Sequence, residues 1–284
     1  MTPPTASAIA ERRARFRALH EAGCFVLPNA WDAGTARYLE SEGFQAVAST
    51  SSGYAWTQAT EDSALSLDDT LRHLRELVAG TSLPVNADFV DGFGATPAEV
   101  AASVARAIET GVAGISIEDS YSSPADRAAH TEPQRSVQES AERVAAARKA
   151  IDDSGHDVLL VGRAENFIVD RPDIDDTIAR LKAYSAAGAD CLYAPGISTP
   201  EHIKAVVAAV APKPVNLLVG GGSALALTLP EIARLGVRRV SVGGALARVA
   251  WAATMRATAL LKEGKFTGLA DAASGNKLNK LMSG

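Results

Sequence analysis

Acidic residues stand where several short apolar stretches end, and their types and spacing suggest chemistry. The stretch PVNADFVDGFG, residues 84–94, runs from a strand-like segment into Asp88 and Asp91, and GISIE, residues 114–118, ends at Glu118. Carboxylates are hard oxygen ligands that suit Mg²⁺ or Mn²⁺ better than Zn²⁺. We therefore predict a Mg²⁺ site, with Mn²⁺ as the alternative ion, whose ligands are Asp62, Asp88, Asp91 and Glu118.

A guanidinium and a hydroxyl-rich turn complete the candidate site. Arg163 closes the apolar run DVLLVGR, where its planar fork is suited to binding an anionic substrate. The turn STSSG, residues 49–53, offers hydroxyls and backbone N–H groups to a carboxylate or phosphoryl oxygen. The predicted substrate-binding residues are Thr50, Ser51, Ser52, Arg163 and Asn216. The predicted catalytic residues are Glu118 and Arg163, with Tyr193 and His130 as candidate proton donors.

Each of these motifs also has an ordinary structural explanation. The pair Asp91-Gly92 often begins a turn, and STSSG could be a loop without a ligand. Arg163 could form ion pairs with Glu165 or Glu118 that serve only the fold. The functional explanation gains when the motifs are taken together. Several strand-end carboxylates around one arginine are costly to assemble without a counter-cation.

Eight apolar runs, rich in β-branched residues, alternate with amphipathic stretches. Such a pattern is typical of a parallel sheet covered by helices, and eight units fit a closed (β/α)₈ TIM-type barrel with its active site at the C-terminal strand ends. The alternative is an open doubly wound sheet, which would favour G-x-G-x-x-G after the first strand, where this chain has PNAWDAG. The runs span residues 24–29, 44–49, 84–88, 114–118, 157–163, 190–195, 214–220 and 238–243.

The helical patterns between the runs have recognisable ends. Thr96-Pro97-Ala98-Glu99 combines an N-cap threonine, a proline in the first turn and a capping-box glutamate. Four helices are predicted to end in a left-handed glycine, at Gly43, Gly111, Gly188 and Gly236. The patterns cover residues 32–43, 67–80, 96–111, 137–155, 173–188, 199–211 and 229–236.

The chain is predicted to be a single barrel domain over residues 1–284. A helix at 5–22 precedes the barrel, and a long polar loop at 119–136, which contains His130, is predicted to be an active-site lid, with a mobile surface loop as the alternative. A helical extension at 245–284 is longer than barrel closure requires. Its apolar face predicts docking on a partner subunit, and hence a homo-oligomer, a dimer or a tetramer.

Composition excludes several other classes of protein. The chain has 284 residues, a net charge of -5 and no block of Lys and Arg, which argues against nucleic acid as a partner. No apolar stretch is long enough to span a membrane, and the N-terminus becomes charged too early for a signal peptide. The two cysteines, Cys24 and Cys191, lack metal-ligand spacing and are predicted to be buried thiols. The expected compartment is the cytoplasm.

Over most of its length the chain resembles the isocitrate lyase/phosphoenolpyruvate mutase superfamily. The resemblance implies a (β/α)₈ barrel whose last helix is swapped between subunits, commonly in a homotetramer. It also implies Mg²⁺ and a small α-oxo or α-hydroxy carboxylate whose bonds are made or broken through an enolate. The motifs that carry it are GFQAVASTSSG (43–53), ADFVDGFG (87–94), GISIEDS (114–120), GRAEN (162–166) and GVRRVSVGG (236–244).

The family's metal motif, Asp-x-(Asp/Glu)-x-Gly-(Phe/Tyr)-Gly, falls on residues 88–94 without a gap. Asp88 then matches the directly coordinating aspartate, while Val90 replaces the second acid and Asp91 stands beside it. The resemblance also implies that Glu118 and Asp62 lie near the metal. By the same matching, Arg163 grips the substrate, and the turn at Thr50, Ser51 and Ser52 binds its carboxylate and carbonyl.

The loop at 119–136 departs from the family pattern. Isocitrate and methylisocitrate lyases carry Lys-(Lys/Arg)-Cys-Gly-His there, with the cysteine as acid and base, and SYSSPADRAAHTEPQR has no cysteine. The chain looks most similar to the branch that includes oxaloacetate decarboxylases. The resulting hypothesis is a Mg²⁺-dependent lyase that cleaves a C–C bond in a small carboxylate. The alternatives are a P–C bond enzyme acting on a phosphonate and a non-catalytic homologue that binds a small acid.

Overall fold

The computed structural model describes residues 3–283, and its strands form one parallel sheet that closes on itself. β1 and β2 flank Pro28, which has no N–H to donate to a ladder. Because β1 pairs with β9 and β2 pairs with β3, these two segments act as one strand and the eight-stranded ring is closed. The strands are β1 (Phe25–Leu27), β2 (Asn29–Ala30), β3 (Val47–Ser49), β4 (Val85–Asp88), β5 (Gly114–Glu118), β6 (Leu159–Arg163), β7 (Cys191–Tyr193), β8 (Val215–Leu218) and β9 (Arg239–Ser241).

Helices surround this barrel and cover its outer face. The predicted capping box at Thr96 and Glu99 is present, and the glycines at 43, 111, 188 and 236 all have positive φ. The helices are α1 (Ala6–Ala18), α2 (Ala33–Ser41), α3 (Ser51–Thr57), α4 (Leu67–Gly80), α5 (Pro97–Ile108), α6 (Pro124–Ala129), α7 (Val137–Asp153), α8 (Ile174–Ala186), α9 (Pro200–Val210), α10 (Leu229–Arg234), α11 (Ala245–Lys262) and α12 (Gly275–Met282). The predicted (β/α)₈ barrel is therefore confirmed.

The barrel has two apolar layers, one outside the strands and one inside. The larger cluster packs strand residues such as Val240 against the helices, while the smaller cluster fills the interior with residues such as Leu27 and Leu159. Helix α1 contributes Phe16 to the interior cluster. A Cβ on Gly114 would lie 2.7 Å from Phe16 Cε1, so glycine at this point of β5 makes room for the phenylalanine. Phe16 thus helps to close the N-terminal end of the barrel.

Two segments that the sequence suggested were loops contain helices. The STSSG turn becomes the start of α3, with Thr50 as N-cap and its side chain accepting a hydrogen bond from Gly53 N. The loop at 119–136 contains α6, and its base is joined by a bridge between Ser120 and Gln134. The expectation of a plain turn at 49–53 was therefore wrong, because a threonine followed by small residues also satisfies helix-capping preferences.

The C-terminal extension leaves large apolar side chains exposed. On α11 these include Val249, Trp251 and Met255, and Phe266 and Leu278 follow beyond it. Helix α12 returns to the barrel, where Arg37 Nη1 donates to Met282 O at 2.6 Å. Exchange of this extension between subunits stays a prediction. No helix within residues 3–283 is long and apolar enough to cross a membrane.

Candidate active site

Three carboxylates contact one guanidinium at the C-terminal ends of the strands, and a fourth lies at the rim of the same site. We call Asp62, Asp88, Glu118 and Glu165, together with Arg163, the acidic ring. Asp88, Glu118 and Arg163 are the last residues of β4, β5 and β6, so the parallel register brings them to the same edge of the barrel. Glu165 follows β6 by two residues, and Asp62 begins a short 3₁₀ turn after α3.

Arg163 is the centre of the acidic ring. Its Nη1 lies 3.1 Å from Glu118 Oε2 and 3.3 Å from Asp88 Oδ1, and its Nε donates to Glu165 Oε1. Burial opposes its charge, but the carboxylates of Glu118 and Glu165 outweigh burial and raise the pKa of Arg163 well above its ordinary value. Its guanidinium also lies 5.1 Å from the centre of the Tyr193 ring. Arg163 is therefore a fixed positive charge.

The acids of the ring carry more negative charge than Arg163 can balance. Burial, with repulsion from Glu165 and Asp88, raises the pKa of Glu118 to about 8 despite the attraction of Arg163. Burial also raises the pKa of Glu165. Loss of hydration and the nearby Asp88 carboxylate raise the pKa of Asp62, which stands at the exposed rim. The ring therefore favours an additional cation.

Asp88 is held in place by α3 as well as by Arg163. Its Oδ2 accepts hydrogen bonds from the backbone N and the Oγ of Ser51, both at 2.9 Å. The Ser49 hydroxyl accepts from Asp88 N at 2.8 Å, which fixes the end of β4 beside β3. The predicted substrate-binding turn is thus built against the predicted metal ligand. The hydroxyl oxygens of Thr50 and Ser52 lie 3.1 Å apart on the same turn.

Two cavities meet the acidic ring. An outer cavity of about 590 Å³ opens above it, and a deep cavity of about 160 Å³ extends into the barrel. Both are lined by Ser51, Asp62 and Arg163. The outer cavity is also lined by Val90, Glu118, Glu165 and Arg127. The deep cavity is also lined by Thr50, Ser52, Asp88, Tyr193, Asn216, Arg239 and Ser241.

The structure brings together all five predicted substrate-binding residues. Thr50, Ser51, Ser52 and Arg163 border the deep cavity, and Asn216 lies within it, fully buried. Asn216 Nδ2 donates to Ser241 Oγ at 2.9 Å.

Tyr193, a candidate proton donor, borders the same deep cavity. Burial raises the pKa of Tyr193 to about 12, so its hydroxyl keeps its proton at neutral pH.

Asp91 and Asp119 form ion pairs with arginines other than Arg163. Asp91 borders a side cavity of about 240 Å³, but its Oδ2 accepts from Arg135 Nη2 at 2.9 Å in a buried ion pair. Asp119 Oδ1 accepts from Glu165 N at 2.9 Å, and its other oxygen accepts from Arg180 at 3.1 Å. Both acids therefore have protein cations as partners, and Asp91 as a metal ligand stays a prediction.

His130 lies on the outside of the loop at 119–136. Its ring is exposed, stacks on Tyr121 at 3.9 Å between centroids and places Nδ1 2.8 Å from Asp126 O. Neither cavity at the ring is lined by His130, whereas Arg127 of the same loop lines the outer one. Its role as proton donor stays a prediction.

The donor set of the acidic ring fits a hard divalent cation. The ring offers only carboxylate oxygens as acidic donors, and burial together with mutual repulsion raises the pKa of Asp62, Glu118 and Glu165, which a bound cation would offset. Within residues 3–283, no three His, Cys, Asp or Glu side chains are grouped as a ready-made metal cluster. Asp88 and Glu118 instead both contact Arg163. The match between the acidic ring and a divalent cation therefore rests on the negative charge of the ring and on its oxygen donors.

A (β/α)₈ barrel with polar and charged residues at the C-terminal ends of its strands is typical of enzymes. Comparison with known proteins identifies the family of this chain. Residues 16–262 match the family model described as phosphoenolpyruvate phosphomutase. The chain belongs to this family, and so to the isocitrate lyase/phosphoenolpyruvate mutase superfamily of lyases and mutases. The resemblance on which the sequence analysis drew is confirmed.

Individual relatives span most of the chain. An oxaloacetate decarboxylase of Paraburkholderia xenovorans is 29% identical over 238 residues, which cover 83% of this chain and 76% of that protein. A structure from Burkholderia cenocepacia, assigned as a lyase or mutase, is 45% identical with a TM-score of 0.91 and covers 98% of both chains. The structure of an oxaloacetate acetylhydrolase with oxalate is 26% identical with a TM-score of 0.84, and covers 97% of this chain and 94% of that one.

Proposed function

We propose that the protein is a Mg²⁺-dependent lyase that cleaves a C–C bond in a small α-oxo or α-hydroxy carboxylate, by decarboxylation or a retro-aldol step. The observation that carries this proposal is the acidic ring, where Arg163 forms ion pairs with three carboxylates and a fourth, that of Asp62, lines the same two cavities. Such a site attracts a cation and, through Arg163, an anion. Family membership supports the same chemistry.

Asp88 would hold the metal, with Asp62 and Glu118 around it, and Mn²⁺ is the alternative ion. When bound, a divalent cation polarises the substrate carbonyl and stabilises the negative charge that develops as the bond breaks. The pKa of about 8 at Glu118 supports this arrangement, because an additional positive charge would favour its ionised form.

The protein's own side chains would orient the substrate. Arg163 offers its fixed charge to a carboxylate, and Ser51 and Thr50 offer hydroxyls at the mouth of the deep cavity. Tyr193 keeps its proton at neutral pH and lies against Arg163, so it is the proton donor best placed for an enolate product. His130 would act only if the loop at 119–136 closed over the site.

Oxaloacetate is the substrate we favour. Relatives named as oxaloacetate decarboxylases match 83% of the chain in one case and 77% in another. Decarboxylation of an α-oxo acid needs no acid/base cysteine, and the loop at 119–136 contains none. Polarisation of the oxo group beside a departing carboxylate is the chemistry that the acidic ring and its cation would supply.

Chemistry at a P–C bond is the second candidate, favoured by the description of the matching family model and by a structure assigned as a phosphonomutase, which is 36% identical with a TM-score of 0.78. A homologue that binds an acid without turnover is the third. Val90 favours it, because this apolar residue stands at an acidic position of the family motif.

One experiment separates the three. The purified protein with Mg²⁺ is incubated with oxaloacetate, 2-methylisocitrate, alkylmalates and phosphonopyruvate, while CO₂, phosphate and organic acid products are measured. We expect CO₂ release from oxaloacetate that chelation of Mg²⁺ abolishes. Phosphate release from phosphonopyruvate would favour the second candidate. Calorimetric binding of these acids without any product would favour the third.

We also propose that the protein works in the cytoplasm as a homo-oligomer, a dimer or a tetramer. The exposed apolar residues Trp251 and Met255 of α11 line a cavity of about 590 Å³ together with Trp56. An apolar surface of this kind is typical of a subunit contact. Analytical ultracentrifugation should give a mass of two or four times the 29.4 kDa of one chain, and Met255→Glu should lower it.

A further inference from the structure

The deep cavity joins the acidic ring to a second charged group. Arg163 is the last residue of β6, and Arg239 is the first residue of β9, yet both line this cavity. The ladder pairs Arg163 with Tyr193, Tyr193 with Asn216 and Asn216 with Arg239. Three such steps separate the two arginine Cα atoms by about 14 Å along the sheet, and both side chains converge on the interior.

Arg239 carries a buried charge that no carboxylate compensates. Its side chain is 2% exposed, and its partners are Asn216 Oδ1 at 2.8 Å from Nε, and Asn86 Oδ1 and His20 Nε2 at 3.4 Å from Nη1. We call these four residues the floor cluster. Among residues 3–283, Arg239 forms no ion pair with an acid, whereas the buried Arg135 and Arg180 each contact an aspartate.

His20 is a neutral hydrogen-bond acceptor beside Arg239. Its Nδ1 lies 2.8 Å from Phe16 O, a carbonyl that can only accept, so Nδ1 carries the hydrogen and Nε2 accepts from Arg239. Burial, and then the charge of Arg239, lower the pKa of His20 to about 3. The floor cluster is thus one cation held by neutral acceptors. A desolvated charge in this situation favours an anionic partner.

We propose that Arg239 binds one carboxylate of the substrate at the base of the deep cavity, so that the site selects acids with two carboxylates. This inference rests on the proposed function, in which Arg163 and the bound cation hold the other end of the molecule. Ser241, whose hydroxyl lines the same cavity beside Asn216, is in reach of the same anion. Arg239 is then a specificity-determining residue that sits below the reacting carbons.

The test compares the binding of non-reacting anions. Calorimetry on the Mg²⁺-loaded protein measures dissociation constants for malonate and succinate, which have two carboxylates, and for acetate, which has one. We expect the better dicarboxylate to bind at least tenfold more tightly than acetate. In Arg239→Gln this preference should fall at least tenfold, while acetate binding changes less than twofold. Equal loss for all three anions, or no loss, would contradict the inference.

Two further variants keep the test decisive. Asn86→Asp retains the shape of the site and places a carboxylate 3.4 Å from Arg239, so it should abolish the dicarboxylate preference without removing the arginine. An unchanged preference in this variant would overturn the inference even if Arg239→Gln did not fold. Arg238→Gln is the matched control, because Arg238 is the adjacent residue but donates to Gly23 O on the surface, and its preference should equal that of the wild type.

Turnover of oxaloacetate is assayed in parallel, so that two failures can be told apart. A dicarboxylate preference that depends on Arg239, without turnover, would contradict the proposed lyase activity and support the inference about Arg239. Turnover together with a dicarboxylate preference that Arg239→Gln leaves unchanged would contradict only the inference about Arg239.

Discussion

The two ends of the barrel interior hold buried charge of opposite sign. At the C-terminal end, the acidic ring places several carboxylates around Arg163. At the other end, the floor cluster surrounds Arg239 with neutral acceptors only. Among the other buried arginines, Arg135 and Arg180 are paired with aspartates, and Arg13 donates to the backbone carbonyls of Ile108 and Val112. Charge is therefore left unbalanced at both ends of one cavity, which is where a ligand can balance it.

The difference between the ends indicates a division of labour. The acidic ring has the charge and the hard oxygen donors for a metal, and the floor cluster has the donors for an anion. Each end alone has a structural explanation, because buried ion pairs and buried arginine hydrogen bonds can serve the fold alone. Together they match a small acid chelated at one end and anchored at the other.

The largest effect is expected from Asp88→Asn. The substitution keeps the size of the side chain but removes a negative charge from the acidic ring, where Asp88 accepts from Ser51 and faces Arg163. Turnover should fall by about 10³-fold, the order expected when a principal electrostatic contact of a transition state is lost. Steady-state kinetics on oxaloacetate measure it. Asp68→Asn, in an exposed ion pair with Arg106, is the matched control and should retain wild-type turnover.

Removal of the metal gives the next effect. At a Mg²⁺ concentration about 100 times the dissociation constant, binding should stabilise the fold by about 2.7 kcal/mol. Thermal unfolding with Mg²⁺ and with a chelator measures this difference. The stabilisation should disappear in Asp88→Asn and persist in Arg239→Gln. If it were lost in both variants, the two ends would not act separately.

The sequence predicts the acidic ring better than the floor cluster, for a physical reason. Asp88, Glu118 and Arg163 are strand-end residues, and parallel strands bring their C-terminal ends together by construction. Arg239 is the first residue of β9. Arg239 and Ser241 face the interior of the barrel, while Val240 faces the helices. The alternation of polar and apolar residues in RRVSVG indicates this arrangement. A strand-end rule does not identify Arg239, because Arg239 is the first residue of its strand.

Other features depend on contacts that no local pattern encodes. The capture of Asp91 by Arg135 joins residues 44 positions apart, and the Val90 departure gave no means of foreseeing it. The sequence suggested Glu165 only as a structural ion-pair partner of Arg163, yet its Oε1 accepts from Arg163 Nε within the ring. His130 is exposed, and its ring stacks on Tyr121.

The floor cluster should make stability depend on pH. The pKa of His20 is about 3 in the folded protein, below its usual value of about 6.5, so the unfolded chain takes up the proton first. The stabilising contribution of neutral His20 is present above pH 6.5 and is lost as the pH falls toward 3. Between pH 7 and pH 5 the loss should be about 2 kcal/mol. Urea unfolding at pH 5, 6 and 7 measures it.

His20→Gln is the variant that isolates this contribution. Glutamine does not titrate, so the variant should lose less stability than the wild type over the same pH interval, whatever its stability at pH 7. The difference between the two pH profiles removes the contribution of other groups, including the buried His73, whose pKa is lowered to about 4. Parallel profiles would show that the floor cluster does not keep His20 neutral.

The smallest effect is expected at the rim, where two neighbours in one loop differ. Arg127 lines the outer cavity, and its charge partly offsets the rise in the pKa of Asp62, whereas His130 stacks on Tyr121 and lines neither cavity at the ring. Arg127→Gln should raise KM for oxaloacetate about threefold, since an exposed charge contributes about 0.2–1 kcal/mol. His130→Gln should change kcat and KM less than twofold. A large loss of kcat in His130→Gln would instead show that the loop closes and brings its imidazole to the acidic ring.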